Sequence, residues 1–190
     1  VSTDSNEYKK IAEDNGANCP FLRPSEISSD LSTDYEFIKH YVEWMQNNDN
    51  ENVPDLIVQL RPTYPNRNIF DLNKCIQNMI ENEEYSSLRT VIPYEKSPYK
   101  MYLTKDHILK PLFEEVNGLN EPYNRCRQDL PTTYLHNGCI DVIRTSSFIK
   151  YNSITGPKIY AYIMDKEEVN DIDNLEDWGK SELKFKQSFE

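Results

Sequence analysis

The clearest pattern of apolar and polar positions is a strand, a rigid turn and a helix that follow one another in the first half of the chain. Residues 56–58 form a short apolar run typical of a buried strand. The run stops at Arg61, next to a proline, and apolar residues then recur at helical spacing over 69–80. This order places Arg61, Thr63 and Arg67 at the carboxyl end of a strand, where open α/β sheets bind ligands. Two arginines at that point indicate an anionic ligand.

The same periodicity predicts strands alternating with helices along most of the chain. Helices are predicted after Ser5, after the capping box that starts at Thr33, and after a cap at Asp173 or Asn174. Further strands are predicted at residues 1–4, 17–21, 85–92, 138–144 and 158–164. Strands that alternate with helices of this length are typical of an α/β fold. We therefore expect a three-layer αβα domain with a mostly parallel, Rossmann-like sheet.

The alternation breaks down between residues 93 and 133, a stretch here called the arm. It contains five prolines and a possible hairpin around residues 99–113. We predict that the arm leaves the main layer of one domain spanning residues 1–190. The chain opens on what reads as the last residues of a strand, so we expect the domain to be incomplete at its amino end.

The composition of the chain argues against several classes of binding partner. The chain has 21 basic and 32 acidic residues, a net charge of −11, which argues against nucleic acid or an anionic membrane as partner. No apolar run approaches the roughly 20 residues that span a bilayer, and no signal peptide is visible, so we expect a soluble, cytoplasmic protein. The four cysteines form no C-x-x-C pair, and a zinc site is not expected.

Two clusters have side chains suited to charged ligands. Asp171 and Asp173 lie on the same side of an extended segment, and magnesium prefers such oxygen ligands. The alternative is a solvated acidic face with a helix cap. Arg127 beside Gln128 suits bidentate recognition of a carboxylate or phosphate. The alternative there is a surface loop with an ion pair to Asp129.

Three other candidates are weaker on their own. Asn137 precedes a glycine and reads first as a turn, although its amide could bind sugar hydroxyls. Ser32 and Thr33 lie near a helix amino terminus, where an anion or a base could bind beside Arg23, but helix capping explains both hydroxyls. Lys100 in the arm could neutralise phosphate, or could simply be an exposed lysine.

Taken in order, these motifs resemble those of the cytidylyltransferases that activate nine-carbon acidic sugars, the CMP-sialic acid synthetase family. The likeness covers almost all 190 residues. The motifs are Val1-Ser-Thr-Asp4-Ser5, Phe21-Leu-Arg23-Pro24 through Ser32-Thr33, Arg61-Pro-Thr63-Tyr-Pro65-Asn-Arg67, Arg127-Gln128-Asp-Leu-Pro131, Asn137-Gly138, and Asp171-Ile-Asp173 followed by Asp177-Trp178.

The resemblance implies that the anomeric hydroxyl of the sugar attacks the α-phosphorus of CTP, which yields a CMP-sugar and pyrophosphate. It assigns the required Mg²⁺ to Asp171 and Asp173, and the nucleotide to Arg23, Ser32 and Thr33. It assigns sugar contacts to Arg61, Thr63, Arg127, Gln128, Asn137 and, more loosely, Lys100. It also gives the arm a purpose, because in the family this region reaches across a homodimer and completes the partner's site.

The chain departs from the family pattern in two ways. The family's basic, glycine-containing loop for the CTP phosphates is absent, so the polypeptide as written is not expected to turn over. Arg61 and Tyr64 stand where the family has glutamine and serine, which favours a related acid such as legionaminic or pseudaminic acid over sialic acid itself. Two alternatives are a nucleotidyltransferase for another sugar and a non-catalytic nucleotide- or sugar-binding domain of the same fold.

Overall fold

The computed structural model describes residues 1–49, 52–165 and 171–187. Within these ranges the helices are α1 (Asn6–Asp14), α2 (Asp34–Asn48), α3 (Ile69–Glu81), α4 (Thr145–Tyr151) and α5 (Leu175–Gln187). The strands are β1 (Leu56–Gln59), β2 (Ser87–Tyr94), β3 (Tyr102–Lys105), β4 (Ile108–Pro111), β5 (Glu115–Val116), β6 (Leu119–Asn120), β7 (Thr133–Arg144) and β8 (Ile159–Ile163). None of these helices is long and apolar enough to cross a membrane.

The main sheet has the strand order β1-β7-β2-β8. Strands β2 and β8 are parallel, whereas β7 runs antiparallel to both of its neighbours, β1 and β2. The α/β class is therefore confirmed, and three of the four strands point the same way. Only one of the three pairings is parallel, because the chain comes back from the arm at the end of β2 and must run in the opposite direction as β7.

Helices cover both faces of this sheet. On one face, Cys75 and Met79 of α3 pack into a cluster with Val142 of β7. On the other face, Val42 of α2 packs into a second cluster with Ile143, the next residue of β7. Successive residues of a strand point to opposite faces, so one strand serves two cores. This is the three-layer αβα arrangement that the sequence predicts.

The helix starts were predicted correctly because their caps are local. Ser5 accepts a hydrogen bond at its hydroxyl from the Tyr8 N–H at 3.3 Å and starts α1. Thr33 starts α2 with a complete capping box. The Asn174 side chain accepts from the backbone N–H of Glu176 at 2.9 Å, ahead of α5.

Two strand predictions were wrong. Residues 1–4 and 17–21 form no strand. They are joined to their surroundings by isolated backbone bonds, such as Arg23 N–H to the Thr3 carbonyl at 2.8 Å. An extended segment becomes a strand only when a neighbour supplies a continuous ladder of bonds.

The arm consists of two hairpins joined by turns. Strands β3 and β4 pair antiparallel, as do β5 and β6, which confirms the hairpin expected around residues 99–113. Every residue of β3 is exposed, and its backbone bonds go to β4 alone among the described strands. The arm thus projects from the sheet, and its role in a dimer stays a prediction.

A wide bulge interrupts the pairing of β7 with β2. Arg89 pairs with Asp141 and Val91 pairs with His136, so two steps along β2 correspond to five along β7. Bulges bend a strand and redirect its side chains, and they are frequent beside functional sites. The four residues of β7 that lie opposite Thr90, 137–140, are at the same edge of the sheet as the loop after β1.

The Thr90 hydroxyl closes the gap that this bulge opens. It donates to Asn137 Oδ1 at 2.6 Å and accepts from the Ile140 N–H at 3.0 Å. Gly138 within the bulge has a φ of +71°, a conformation that glycine adopts without strain. One buried side chain therefore replaces the missing ladder bonds.

Replacing Thr90 with valine should destabilise the fold. The variant keeps the shape of the side chain but leaves the Ile140 N–H and the Asn137 oxygen without a buried partner, which costs about 1–3 kcal/mol. Urea unfolding measures this loss. Thr104→Val on exposed β3 is the matched control and should change the free energy of unfolding by less than about 0.5 kcal/mol. Equal stabilities of the two variants would show that the hydroxyl does not support the bulge.

Candidate functional site

The candidate site lies at the edge of the sheet where β1, β2 and β8 end. The loop after β1 carries Arg61 and Thr63, and the acidic segment 171–173 lies against it. The contact is direct, because the Ile172 N–H donates to the Thr63 carbonyl oxygen at 2.9 Å. The structure thus brings together two groups that lie more than a hundred residues apart in the sequence.

Helix α5 is anchored to the same loop. Asn66 Nδ2 donates to the Ser181 carbonyl at 2.8 Å and to its hydroxyl at 2.9 Å. Ser181 is buried, although most of α5 is exposed. The acidic segment is therefore held between Thr63 on one side and the anchored helix on the other.

Arg61 is held by two carboxylates and one carbonyl. Its Nη1 donates to Asp141 Oδ2 at 2.8 Å and to the Gly138 carbonyl at 3.1 Å, and its Nη2 donates to Asp34 at the start of α2. Burial acts to lower the pKa of Arg61, but Asp141 and Asp34 outweigh burial and raise it. The sugar contact assigned to Arg61 stays a prediction. Its charge is already compensated within the chain.

Asp141 is the carboxylate on which these contacts converge. It is 1% exposed, lies 2.8 Å from His136 Nε2 and has Arg89 Nε at 3.8 Å. Burial acts to raise the pKa of Asp141, but the hydrogen bonds and charges of His136 and Arg61 bring it below its ordinary value. An ionised, buried carboxylate of this kind depends on its cations, because removing one leaves an unpaired charge in the interior.

Arg67, the second arginine of the loop, is engaged with backbone. Its Nε donates to the Cys139 carbonyl at 2.9 Å, and a terminal nitrogen donates to the Arg61 carbonyl. The guanidinium carbon lies 5.9 Å from the ring centre of Tyr64, which is 1% exposed. Burial lowers the pKa of Arg67. Arg67 thus ties the loop to the β7 bulge.

Two of the predicted nucleotide contacts, Ser32 and Thr33, take part in the start of α2. The Ser32 hydroxyl accepts from the Ser29 N–H at 2.9 Å. The Thr33 N–H donates to Glu36 Oε2 at 2.6 Å, which completes the capping box. The capping alternative is therefore present in the structure, and a nucleotide contact stays a prediction.

Arg23 lies close to the same helix. Its Nε donates to the Ser28 hydroxyl at 3.0 Å, and its guanidinium carbon lies 5.7 Å from the ring centre of Phe37 in α2. Asp4 is 3.8 Å from a terminal nitrogen. Arg23, Ser32 and Thr33 are therefore grouped at the amino end of α2, near the Asp34–Arg61 contact.

Asn137 is 7% exposed, and both ends of its amide are in use. Its Oδ1 accepts from Thr90 at 2.6 Å and from the Cys139 N–H at 3.0 Å, while its Nδ2 donates to Met164 Sδ at 3.3 Å. The amide therefore supports the bulge. A contact with sugar hydroxyls stays a prediction.

The arm carries a second group of predicted residues. Lys100 and Arg127 line a cavity of about 460 Å³, together with Lys96, Ser97 and Met101. None of these five residues is acidic. Lys100 Nζ donates to the Arg125 carbonyl at 2.6 Å, and Gln128, next to Arg127, is exposed.

The two groups are not joined within one chain. Among the described residues, no hydrogen bond or ion pair links Lys100 or Arg127 to Arg61 or Thr63. The sugar contacts that the family resemblance assigns are therefore divided between the sheet edge and the arm.

The acid pair could hold a metal only with help from a substrate. Asp171 and Asp173 are both exposed, and the Asp173 N–H donates to Asp177 Oδ2 at 3.4 Å. The part of the chain that the structure describes contains no group of three or more potential metal ligands. Two carboxylates completed by substrate phosphates are a usual arrangement for magnesium, so the donor set fits that ion.

The sequence-based prediction missed Asp34, His136 and Asp141. One signal was available for Asp141, because it is a carboxylate inside the apolar run Cys139-Ile-Asp-Val-Ile143. Charged residues are rarely buried unless they are paired. The partners themselves could not be read from the sequence, since they depend on the width of the bulge.

Asp141→Asn should lower the free energy of unfolding by about 3–5 kcal/mol at neutral pH, because Arg61 loses its buried counter-charge. The pKa of Asp141 is lowered in the folded state. Its contribution is therefore present above the pKa of the unfolded chain and is lost as pH falls through the folded-state pKa. The gap between wild type and variant should narrow from neutral pH to about pH 3, as urea unfolding would measure.

Asp14→Asn is the control for this comparison. Asp14 pairs with Lys10 on the exposed surface of α1 at 2.8 Å, so its loss should cost at most about 1 kcal/mol at any pH. A gap for Asp141→Asn that stays constant with pH would contradict the assignment of a paired, ionised Asp141.

Comparisons with known proteins give several relatives, although no family model matches the chain. N-acylneuraminate cytidylyltransferase of Escherichia coli O18:K1:H7 is 27% identical over 180 residues, which cover 94% of this chain and 39% of that protein. The enzyme of the same name from Streptococcus agalactiae serotype III is 26% identical and is covered to 40%. Pseudaminic acid cytidylyltransferase of Campylobacter jejuni serotype O:2 is 21% identical over all of this chain and is covered to 78%.

A solved structure shares the fold. The synthetase of CMP-2-keto-3-deoxy-manno-octonic acid, in complex with CTP, superposes with a TM-score of 0.63 at 12% identity, over 99% of this chain and 80% of that one. The chain spans about two-fifths of the length of the N-acylneuraminate cytidylyltransferases. In sequence the chain is related to cytidylyltransferases of N-acylneuraminate and of pseudaminic acid, the family that its ordered motifs resemble, and it shares its fold with the synthetase of CMP-2-keto-3-deoxy-manno-octonic acid.

Proposed function

We propose that the protein carrying this chain is a CMP-sugar synthetase that transfers CMP from CTP to a nine-carbon acidic sugar. The observation that carries the proposal is the contact of segment 171–173 with the Thr63 carbonyl at 2.9 Å. It puts a pair of carboxylates beside the loop after β1, at the edge where α/β sheets bind ligands. Relatives named as cytidylyltransferases of N-acylneuraminate and of pseudaminic acid support the same reaction.

In the proposed reaction the anomeric hydroxyl of the sugar forms a bond to the α-phosphorus of CTP. The bond from that phosphorus to the bridging oxygen breaks, and pyrophosphate leaves. Asp171 and Asp173 hold Mg²⁺, which neutralises phosphate charge when bound. Arg23, Ser32 and Thr33 hold the nucleoside at the amino end of α2, where the helix dipole favours acceptor groups.

The sugar carboxylate is assigned to the arm. Arg61 has two internal carboxylate partners, Asp34 and Asp141. Lys100 and Arg127, in contrast, line a cavity without acidic residues. Lysine and arginine side chains that line a cavity without an acidic residue in its lining attract a carboxylate more strongly than an arginine already paired with two carboxylates.

No described hydrogen bond or ion pair joins the arm residues to the sheet edge within one chain, and the family resemblance implies that the two meet across a dimer. We propose a homodimer in which the arm of one subunit supplies Lys100, Arg127 and Gln128 to the site formed by Arg61, Thr63 and Asn137 of the other. The exposed apolar side chains of β3 and β4, including Leu103 at 61% and Ile108 at 72%, are the surface that this dimer would cover.

The preferred substrate is a relative of sialic acid, such as legionaminic or pseudaminic acid. Arg61 and Tyr64 replace the glutamine and serine of the family pattern, and Tyr64 is fully buried under Arg67. These two replacements change the shape and charge of the loop that borders the sugar. Arg61→Gln is thus expected to alter sugar preference more than affinity for CTP.

The full-length protein should release pyrophosphate from CTP only when both a nine-carbon keto acid and Mg²⁺ are present. Asp171→Asn should lower kcat by at least about a hundredfold, because a bound metal supplies several kcal/mol of charge stabilisation. Glu182→Gln, on the exposed side of α5, is the acidic control and should leave kcat unchanged. Turnover with a sugar 1-phosphate instead of the keto acid would contradict the proposal. Binding of CTP without turnover, measured by calorimetry, would favour a non-catalytic domain.

Lys100→Met should raise KM for the sugar about tenfold and leave KM for CTP nearly unchanged, because one charge-assisted hydrogen bond is lost. Lys105→Met, at the end of β3 in the same arm, is the matched control. Mixing Lys100→Met subunits with Asp171→Asn subunits should restore about a quarter of wild-type activity at limiting sugar, since half of random dimers are mixed and one of their two sites is intact. No recovery on mixing, or a monomer by light scattering, would place the arm outside the partner's site.

A further inference from the structure

One face of the sheet edge carries a row of polar side chains that the proposed reaction does not yet use. In the sheet register, Asp141 lies opposite Arg89 of β2 on one side and opposite Gln59 of β1 on the other. His136 lies opposite Val91, two residues after Arg89 on β2. Directly paired residues share a face, and so do residues two apart on one strand. Gln59, Asp141, Arg89 and His136 therefore point to the same side, which is the side of Arg61.

His136 is fixed in one orientation. Its side chain is 31% exposed, and its Nε2 lies 2.8 Å from Asp141 Oδ1. Asp141 is ionised because the contacts of His136 and Arg61 lower its pKa despite burial, so the carboxylate can only accept a hydrogen bond. Nε2 is then the donor of that bond, and in the neutral imidazole Nδ1 is the acceptor. No described residue bonds to Nδ1.

A second acceptor on this face also lacks a donor. Gln59 is 8% exposed, and its buried Oε1 has no hydrogen-bond partner among the residues that the structure describes. Buried polar atoms in native proteins are nearly always paired, and an exception often marks a place where a ligand or water binds. Two acceptors on one face, at the ligand edge of the sheet, suit a group rich in hydroxyls.

We propose that His136 is the general base of the reaction and that Asp141 positions it. The imidazole Nδ1 takes the proton from the anomeric hydroxyl as the hydroxyl oxygen bonds to the α-phosphorus. The electron pair of the broken phosphorus–oxygen bond leaves on pyrophosphate, and the imidazolium is stabilised by Asp141. Arg61 and Arg89 contact the Asp141 carboxylate of this dyad, and Asp34 contacts Arg61 in turn. This role rests on the proposed function.

The chemical step is measured by single turnover with the full-length protein, CTP, Mg²⁺ and a nonulosonic acid. His136→Asn should lower the single-turnover rate about 10²- to 10⁴-fold, because the proton of the anomeric hydroxyl loses its acceptor, with KM for CTP changed less than about threefold.

His107→Asn is the matched control. His107 lies on the exposed turn between β3 and β4 with a φ of +66°, a conformation that asparagine tolerates. This variant should keep the wild-type single-turnover rate. His136→Gln, which retains more of the side-chain volume, provides a second test if His136→Asn folds poorly by circular dichroism.

Each outcome decides one claim. A folded His136 variant with a rate within about threefold of wild type would overturn the general-base role and leave the synthetase intact. A wild-type protein that does not turn over with any nonulosonic acid would overturn the proposed function itself.

Discussion

The buried carboxylate of Asp141 holds the candidate site together. Arg61, His136 and Arg89 converge on it from the loop after β1, from β7 and from β2. Through Arg61 the same network reaches Asp34 and so fixes the start of α2. Breaking one contact leaves an unpaired charge in the interior, so these segments are coupled more strongly than surface ion pairs would couple them.

The β7 bulge is what makes this convergence possible. It turns the carbonyls of Gly138 and Cys139 away from the neighbouring strand, and Arg61 and Arg67 donate hydrogen bonds to them. Inside, Thr90 replaces the missing ladder bonds. A regular β7 would pair those carbonyls with a neighbouring strand and remove one hydrogen-bond partner from each arginine. The β7 bulge and the loop after β1 therefore stabilise each other.

The parts of the fold that could be predicted from sequence are those with local causes. Capping residues such as Thr33 and Asn174 mark helix starts because their bonds span two or three residues. Residues 17–21 were wrongly assigned to a strand because pairing depends on a distant neighbour. The contact of segment 171–173 with Thr63 was implied only by family resemblance, and the network around Asp141 depends on a bulge register that periodicity does not contain.

The arm leaves and rejoins the sheet between two strands that pair with each other, since Tyr94 lies opposite Thr133. The pairing of β2 with β7 therefore closes the base of the arm, and the arm contributes little to the hydrophobic core. Loop-closure entropy grows only slowly with length, so such an insertion can be lengthened, shortened or exchanged at small cost to folding. The arm can thus change in length or sequence during evolution while the main sheet keeps its structure.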